Sequence, residues 1–297
     1  MTPRPRRRGA MRSQQRLLFW AFLVPGLVYL VGIRLAPAAI TLFLGFTDWN
    51  LVRNPVPRFV GLQNYLNIVE DGPFLAAMGR SVLFSLLATT IELVLGFAIA
   101  LFMSREMRGR TPLRAVLLMP MVITPAVVGL IWYVLFHNAI GPLNWALSLL
   151  GIPAVDWLGD PVLAFLAVLM TDIWHWTPFM FLLSLSALQT VPGELYEAAE
   201  VDGASPWQSF RLITLPMVRE ALIVACILRG IEAFEIFAEP FVMTGGGPGR
   251  ATETVSLHIY KSAFTFFDMG FAGAQIAVCV ILVGALYSVY LRHVRYD

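Results

Sequence analysis

The chain has 297 residues, of which 58% are hydrophobic and only 13% charged, with a formal net charge of +2. A soluble domain carries about 25% charged residues, so a single water-soluble core of this length is excluded and lipid must solvate much of the surface. No GxxxxGK[ST] loop is present, which excludes a P-loop ATPase within the chain.

Six apolar stretches are long enough to cross a bilayer, which takes roughly 20 helical residues. They are Leu17–Phe46 (interrupted by Arg34), Ser81–Met103 (containing Glu92), Ala115–Phe136, Pro161–Leu188 (with Asp172 and His175), Ala221–Met243 (with Arg229, Glu232, Glu235 and Glu239) and Met269–Leu291. The expected fold is all-α: one polytopic membrane domain over residues 17–292, a basic segment over 1–16 and a tail over 293–297. Fourteen of the 21 basic residues fall before the first stretch, between the second and third, before the fifth, or after the sixth. The positive-inside rule then predicts both termini in the cytoplasm, which an even span count requires. Ala36-Pro37-Ala38 resembles a signal-cleavage site, but Arg34 beside it and the apolar run continuing past it predict that the segment is retained.

Cys226 and Cys279 lie inside apolar runs and read as small hydrophobes. His137, His175, His258 and His293 show no ligand spacing, so no metal site is expected. Gly270, Gly273, Ala274 and Ala277 form a small-residue stripe suited either to contact within the bundle or to a subunit interface.

The longest inward loop, about residues 190–217, has the clearest local grammar. Pro192 suits a first helical turn, and Glu194 and Glu197 suit the positive helix end. Leu195, Ala198, Ala199 and Asp202 share a face, and Gly203 supplies a left-handed terminator. Ser205-Pro206 opens a second helix, which Pro216 is expected to break before the next span. The reading is two short helices at a sharp bend.

Within that loop Glu197-Ala198-Ala199, three residues, Gly203, nine residues and Ile213-x-Leu215-Pro216 resemble the "EAA" loop of binding-protein-dependent ABC importer permeases. The string from Glu197 to Phe210, with Gly61-Leu62-x-Asn64-Tyr65 and Thr244-Gly-Gly-Gly-Pro248, is most similar to the carbohydrate branch. The resemblance implies a type I importer permease in a bacterial inner membrane. It implies a second permease subunit forming a heterodimer, two ATPase subunits that bind ATP and Mg, an extracytoplasmic solute-binding protein and surrounding lipid, with no nucleic acid. The chain itself would hold no cofactor and would not be an enzyme. Carried over residue by residue, the resemblance makes Glu197, Ala198, Ala199, Asp202, Gly203 and Ala204 the ATPase-docking residues.

Charges inside spans usually face a cavity or a partner. Asp172, Trp176 and Phe179 share one face of the fourth span, and Arg229, Glu232 and Ala233 lie along the fifth. A carboxylate with aromatic rings suits a sugar, and the carbohydrate branch builds its site from these two spans, so these six residues are the candidate substrate pathway. Arg229 and Glu232 could equally neutralise each other at i, i+3, and Trp174 and Trp176 could be interfacial anchors. A neutral di- or oligosaccharide is the expected cargo, with a glycerol phosphoester or a polyamine as alternatives. An ion-coupled secondary transporter is the rival class, against which no internal repeat is visible.

Overall fold

The computed structural model describes residues 8–104 and 109–294. In chain order the helices are α1 Arg8–Tyr29, α2 Ala36–Leu44, α3 Gln63–Glu70, α4 Gly72–Ser104, α5 Arg110–Val122, α6 Pro125–Leu135, α7 Pro142–Leu149, α8 Pro161–Leu188, α9 Gly193–Val201, α10 Pro206–Ser209, α11 Leu215–Phe234, α12 Ala238–Thr244, α13 Val255–Tyr260 and α14 Met269–Val294. Wider π-helical turns join α1 to α2, α10 to α11, and follow α13. The described residues otherwise show only isolated β-bridges. An all-helical architecture is therefore observed.

The chain divides into two compact units. The first comprises residues 1–70 and 262–284. Its leading helix runs without a break through the π turn at Leu30–Leu35, which contains Arg34, and is exposed along 15–40. The small-residue stripe packs inside this unit. A Cβ on Gly270 would lie 2.1 Å from the Thr47 carbonyl oxygen, and one on Gly273 would lie 2.6 Å from that of Thr41. The stripe is thus spent on contact within the chain. Asn64 donates to the carbonyls of Gly45 (3.0 Å) and Thr47 (2.7 Å), closing the end of α2, while the Tyr65 and Phe46 rings sit 5.1 Å apart. Those bonds give the Asn64-Tyr65 motif its local work.

The second unit, residues 71–261 and 285–297, is built on α4, α8 and α11. Along α4 the buried positions Phe74, Ala77, Ser81, Phe84, Ala88, Glu92, Gly96, Ala100 and Met103 recur every three or four residues, the signature of one covered helical face. Glu92 lies in that stripe, so its charge needs a partner. Asp160 caps α8 by accepting from the amides of Val162 and Leu163, both at 2.9 Å. Where α4 crosses α8 the backbones nearly touch: a Cβ on Gly96 would lie 2.6 Å from the Phe181 nitrogen. Gly79, also on α4, has open space. Gly96→Ala is therefore expected to cost about 1–3 kcal/mol through forced backbone movement. Gly79→Ala should leave the thermal midpoint of the detergent-solubilised chain unchanged or slightly raised, and equal midpoints for the two variants would refute the close crossing.

Three helices among the described residues are long and apolar enough to cross a membrane alone, at 15–44, 72–104 and 161–188. Of the six expected crossings, length and apolarity alone mark these three. The third stretch breaks at Ile123-Thr124 into α5 and α6, bent by 97°, with Pro120 and Pro125 on either side of the break. Counted as one, that pair makes a fourth crossing. The fifth stretch holds Arg229 and Glu232 within α11 and stops at Phe234, before the separate α12. The sixth is apolar over Met269–Ala285.

On α13 and the turn before it, Glu253 is almost fully covered. It accepts from His258 Nδ1 at 2.8 Å and from Lys261 Nζ at 2.7 Å, and Arg80 Nε reaches its backbone carbonyl at 2.9 Å. Burial works against ionisation there, but the hydrogen bonds and charge of His258 and Lys261 outweigh it and bring the carboxyl down to about 2. A depressed value stabilises the segment above the ordinary glutamate pKa of ~4.3, and that contribution disappears as pH falls from there towards about 2. Hydrogen-exchange protection over 244–262 should fall across that window in the native chain, and Glu253→Gln should flatten the dependence.

Candidate functional site: an exposed helical turn and a buried charge cluster

The loop between α8 and α11 is closed by local chemistry. The helix α9 ends in a complete Schellman motif: the Ala204 amide donates to Ala199 (2.9 Å) and that of Gly203 to Glu200 (3.0 Å), with Gly203 left-handed at φ +78°. Ser205 then caps α10 in a capping box. Its hydroxyl accepts from the Gln208 amide at 3.3 Å, and its own amide donates to Gln208 Oε1 at 2.7 Å. Both helices and the glycine bend stand where the residue grammar places them. The helix starts one residue later than expected, with Pro192 as its N-cap.

One expectation is corrected. Pro216 does not break the second helix. From Pro206 the chain runs on through the π-helical turn Phe210–Thr214 into α11, with the Leu215 amide reaching the Phe210 carbonyl. The widened turn accommodates the proline, whose missing amide would have left an α-helical carbonyl unserved. The coupling of loop to span is therefore direct. Tyr196 Oη meets Thr214 Oγ1 at 2.8 Å and ties α9 to the same turn.

Glu197, Ala198, Asp202 and Gly203 are exposed, while Ala199 and Ala204 are half-buried. Val201 is 88% exposed and Trp207, stacked on Phe210 with centroids 5.3 Å apart, is 67% exposed. A cleft of ≈ 790 Å³ lies behind the turn, lined by Tyr196, Glu200, Ala204, Phe210 and the end of α4.

Deeper in the unit, Arg229 is 1% exposed and carries two carboxylates. Its Nη2 donates to Glu92 Oε1 at 3.0 Å and to Asp172, while Nε lies 2.8 Å from Glu92 Oε2 as a charge contact without hydrogen-bond alignment. The Trp176 ring stands 5.2 Å from the guanidinium carbon, and Phe179 meets Trp176 edge-on at 6.1 Å. Asp172, Trp176, Phe179 and Arg229 are thus contiguous. Glu232 is exposed and lies outside this cluster, whereas Ala233 is fully buried in an apolar core with Phe84 and Ala88. The partner of Arg229 is across the bundle, not at i+3.

Sequence reasoning passed over two members of the polar interior. Glu92 was legible as an acid inside a span, and the rule that such a group finds a partner could have matched it to Arg229. His175 reaches Glu239 Oε1 (3.2 Å) through Nδ1 and the Ile123 carbonyl (3.1 Å) through Nε2. A carbonyl only accepts, so Nε2 is the donor to Ile123 and Nδ1 faces the Glu239 carboxyl. This bond pins the α5–α6 break to α8 and α12. Among the described residues no group of acids, histidines and cysteines has the makings of a metal site.

These features define a helical, multi-pass membrane protein with an exposed, locally capped helical turn and a charge-locked helical core. The model of the family described as "Binding-protein-dependent transport system inner membrane component" matches residues 92–295, and the chain belongs to that family, the permease subunits of ABC importers. The chain is 40% identical over 245 residues to the trehalose/maltose transport system permease protein of Thermococcus litoralis, covering 82% of each. It is 35% identical to the sulfoquinovosyl glycerol transport system permease protein of Agrobacterium fabrum, over 94% of this chain and 91% of that one. In fold it matches a chain from the crystal structure of a bacterial ABC transporter involved in the import of the acidic polysaccharide alginate. The TM-score is 0.83 at 20% identity, over 96% of this chain and 98% of that one.

Proposed function

We propose that this permease carries a sugar, a neutral di- or oligosaccharide, into the cytoplasm by alternating access driven by a separate ATPase. The observation that carries the reading is the exposed turn Glu197–Ser205, closed by its own caps and continuous with α11. Glu197, Ala198, Ala199, Asp202, Gly203 and Ala204 form the surface that seats in the ATPase, where ATP and Mg are bound. From Thr214 to Arg229 the helix rises roughly 22 Å. A push on the turn therefore reaches the residue that holds α4 and α8 together through Glu92 and Asp172.

A sugar as cargo is supported by relatives named for trehalose/maltose and for sulfoquinovosyl glycerol, of which only the first names neutral sugars, and by Trp176 and Phe179 beside a carboxylate. Asp172, Trp176, Phe179 and Arg229 line the pathway of this reading, whereas Glu232 stands outside that cluster and Ala233 is packed in an apolar core. A surplus of acids over Arg229 disfavours an anionic cargo. The topology is six crossings with both ends in the cytoplasm, the bent α5–α6 pair counting as one and α11 and α14 completing the set. A different second permease, two ATPase subunits and an extracytoplasmic binding protein complete the importer.

Expression of the complete system with this chain tagged tests the reading. Co-purification of an ATPase and ATP-dependent uptake of labelled trehalose or maltose are expected. Uptake that persists without ATP but collapses with the ion gradient would overturn it.

A further inference from the structure

We propose that the edge where α5 begins holds an anionic phospholipid, its phosphate between Arg110 and Arg114 and an acyl chain in the adjoining groove, independently of what the permease carries. Arg110 Nε and Arg114 Nε and Nη2 are shielded from solvent and have no hydrogen-bond partner among the described residues. Guanidinium nitrogens withdrawn from water without an acceptor are costly, so an anion from the surroundings is called for. The two arginines stand one turn apart, and Leu117 follows on the same face of α5. Two guanidinium forks at that spacing match the oxygens of one phosphate. The segment Arg105–Arg114 holds four arginines against Glu106 alone, so a surplus of positive charge remains whatever Glu106 does.

The second observation is the groove. Leu117, Val116 and Pro120 of α5, with Leu95, Trp174 and Phe181, line an almost wholly apolar space of ≈ 510 Å³ in the crook of the α5–α6 bend. Val116 at its rim is 61% exposed. From Arg114 to Pro120 the helix rises roughly 9 Å, which places apolar lining where acyl chain follows a headgroup. A free phosphate would leave that groove unfilled. Charge at one end and apolar surface at the other fit a lipid.

The full chain, delipidated in detergent, is titrated with phosphatidylglycerol, phosphatidylcholine of the same chains, or glycerol phosphate, and binding is followed by native mass spectrometry and thermal shift. Phosphatidylglycerol is expected to bind at least tenfold more tightly than phosphatidylcholine, and Arg110→Gln with Arg114→Gln to bring the two lipids within about twofold. Val116→Trp, which keeps both arginines, should weaken both lipids alike and serves where the double variant does not fold. Equal binding of the two lipids to the native chain would overturn the site. So would glycerol phosphate binding as tightly as phosphatidylglycerol, lipid affinities untouched by Val116→Trp, or a preference that survives in the folded double variant.

Discussion

Replacing Gly203 with aspartate is expected to reduce solute uptake to background while the chain still folds and inserts. The residue sits at φ +78°, where a side chain costs about 1–2 kcal/mol, with aspartate among the better tolerated. A Cβ there would meet nothing within 4 Å of its own chain, so no clash follows inside the protein. Bulk and charge would instead project from an exposed turn into the surface proposed above to seat in the ATPase. The thermal midpoint should move by only a few degrees while ATPase co-purification is lost. Gly203→Ala isolates the backbone strain, since it shares the left-handed conformation without the carboxylate, and should retain partial uptake. Normal uptake and normal co-purification in Gly203→Asp would end the docking assignment.

Arg229→Met is expected to have the largest effect on stability. It leaves Glu92 and Asp172, 0% and 1% exposed, without their shared cation. Removing one partner from a buried ion cluster costs about 3–5 kcal/mol, because the remaining charge is stranded. The variant should be poorly recovered from membranes. Adding Glu92→Gln and Asp172→Asn in the same chain removes the stranded charges and should restore the yield, since replacing a whole buried cluster is often near neutral. Uptake by that triple variant then separates the two roles of these residues. Unchanged KM means the charges only hold α4, α8 and α11 together; raised KM in a well-folded protein means that they also touch the cargo. Full recovery of the single variant would show that the cluster does not hold the core.

The helix–glycine–helix turn was legible because its determinants are local. Gly203, Ser205 and Pro206 act on amides no more than five residues away, and the expected caps are the observed ones. Pro216 shows the limit of that logic. The rule that proline ends a helix is local too, but the π turn before it offered a register that the rule does not consider. The third span shows the same limit: composition marks Ala115–Phe136 as apolar, while the 97° bend falls at Ile123-Thr124 between Pro120 and Pro125, where His175 holds the Ile123 carbonyl from α8. Arg229 and Glu92 are 137 residues apart, and no spacing pattern joins them.

The sequence by itself determined that this is a lipid-solvated helical protein, and it marked the exposed turn with its family signature, because hydrophobic length and helix capping act over a few residues. Only the tertiary structure decided which charges neutralise one another, which helices bend, and that Gly270 and Gly273 pack within the chain. Those outcomes rest on side chains brought together from distant spans, where burial makes an unpartnered charge or a misplaced methyl too costly to keep.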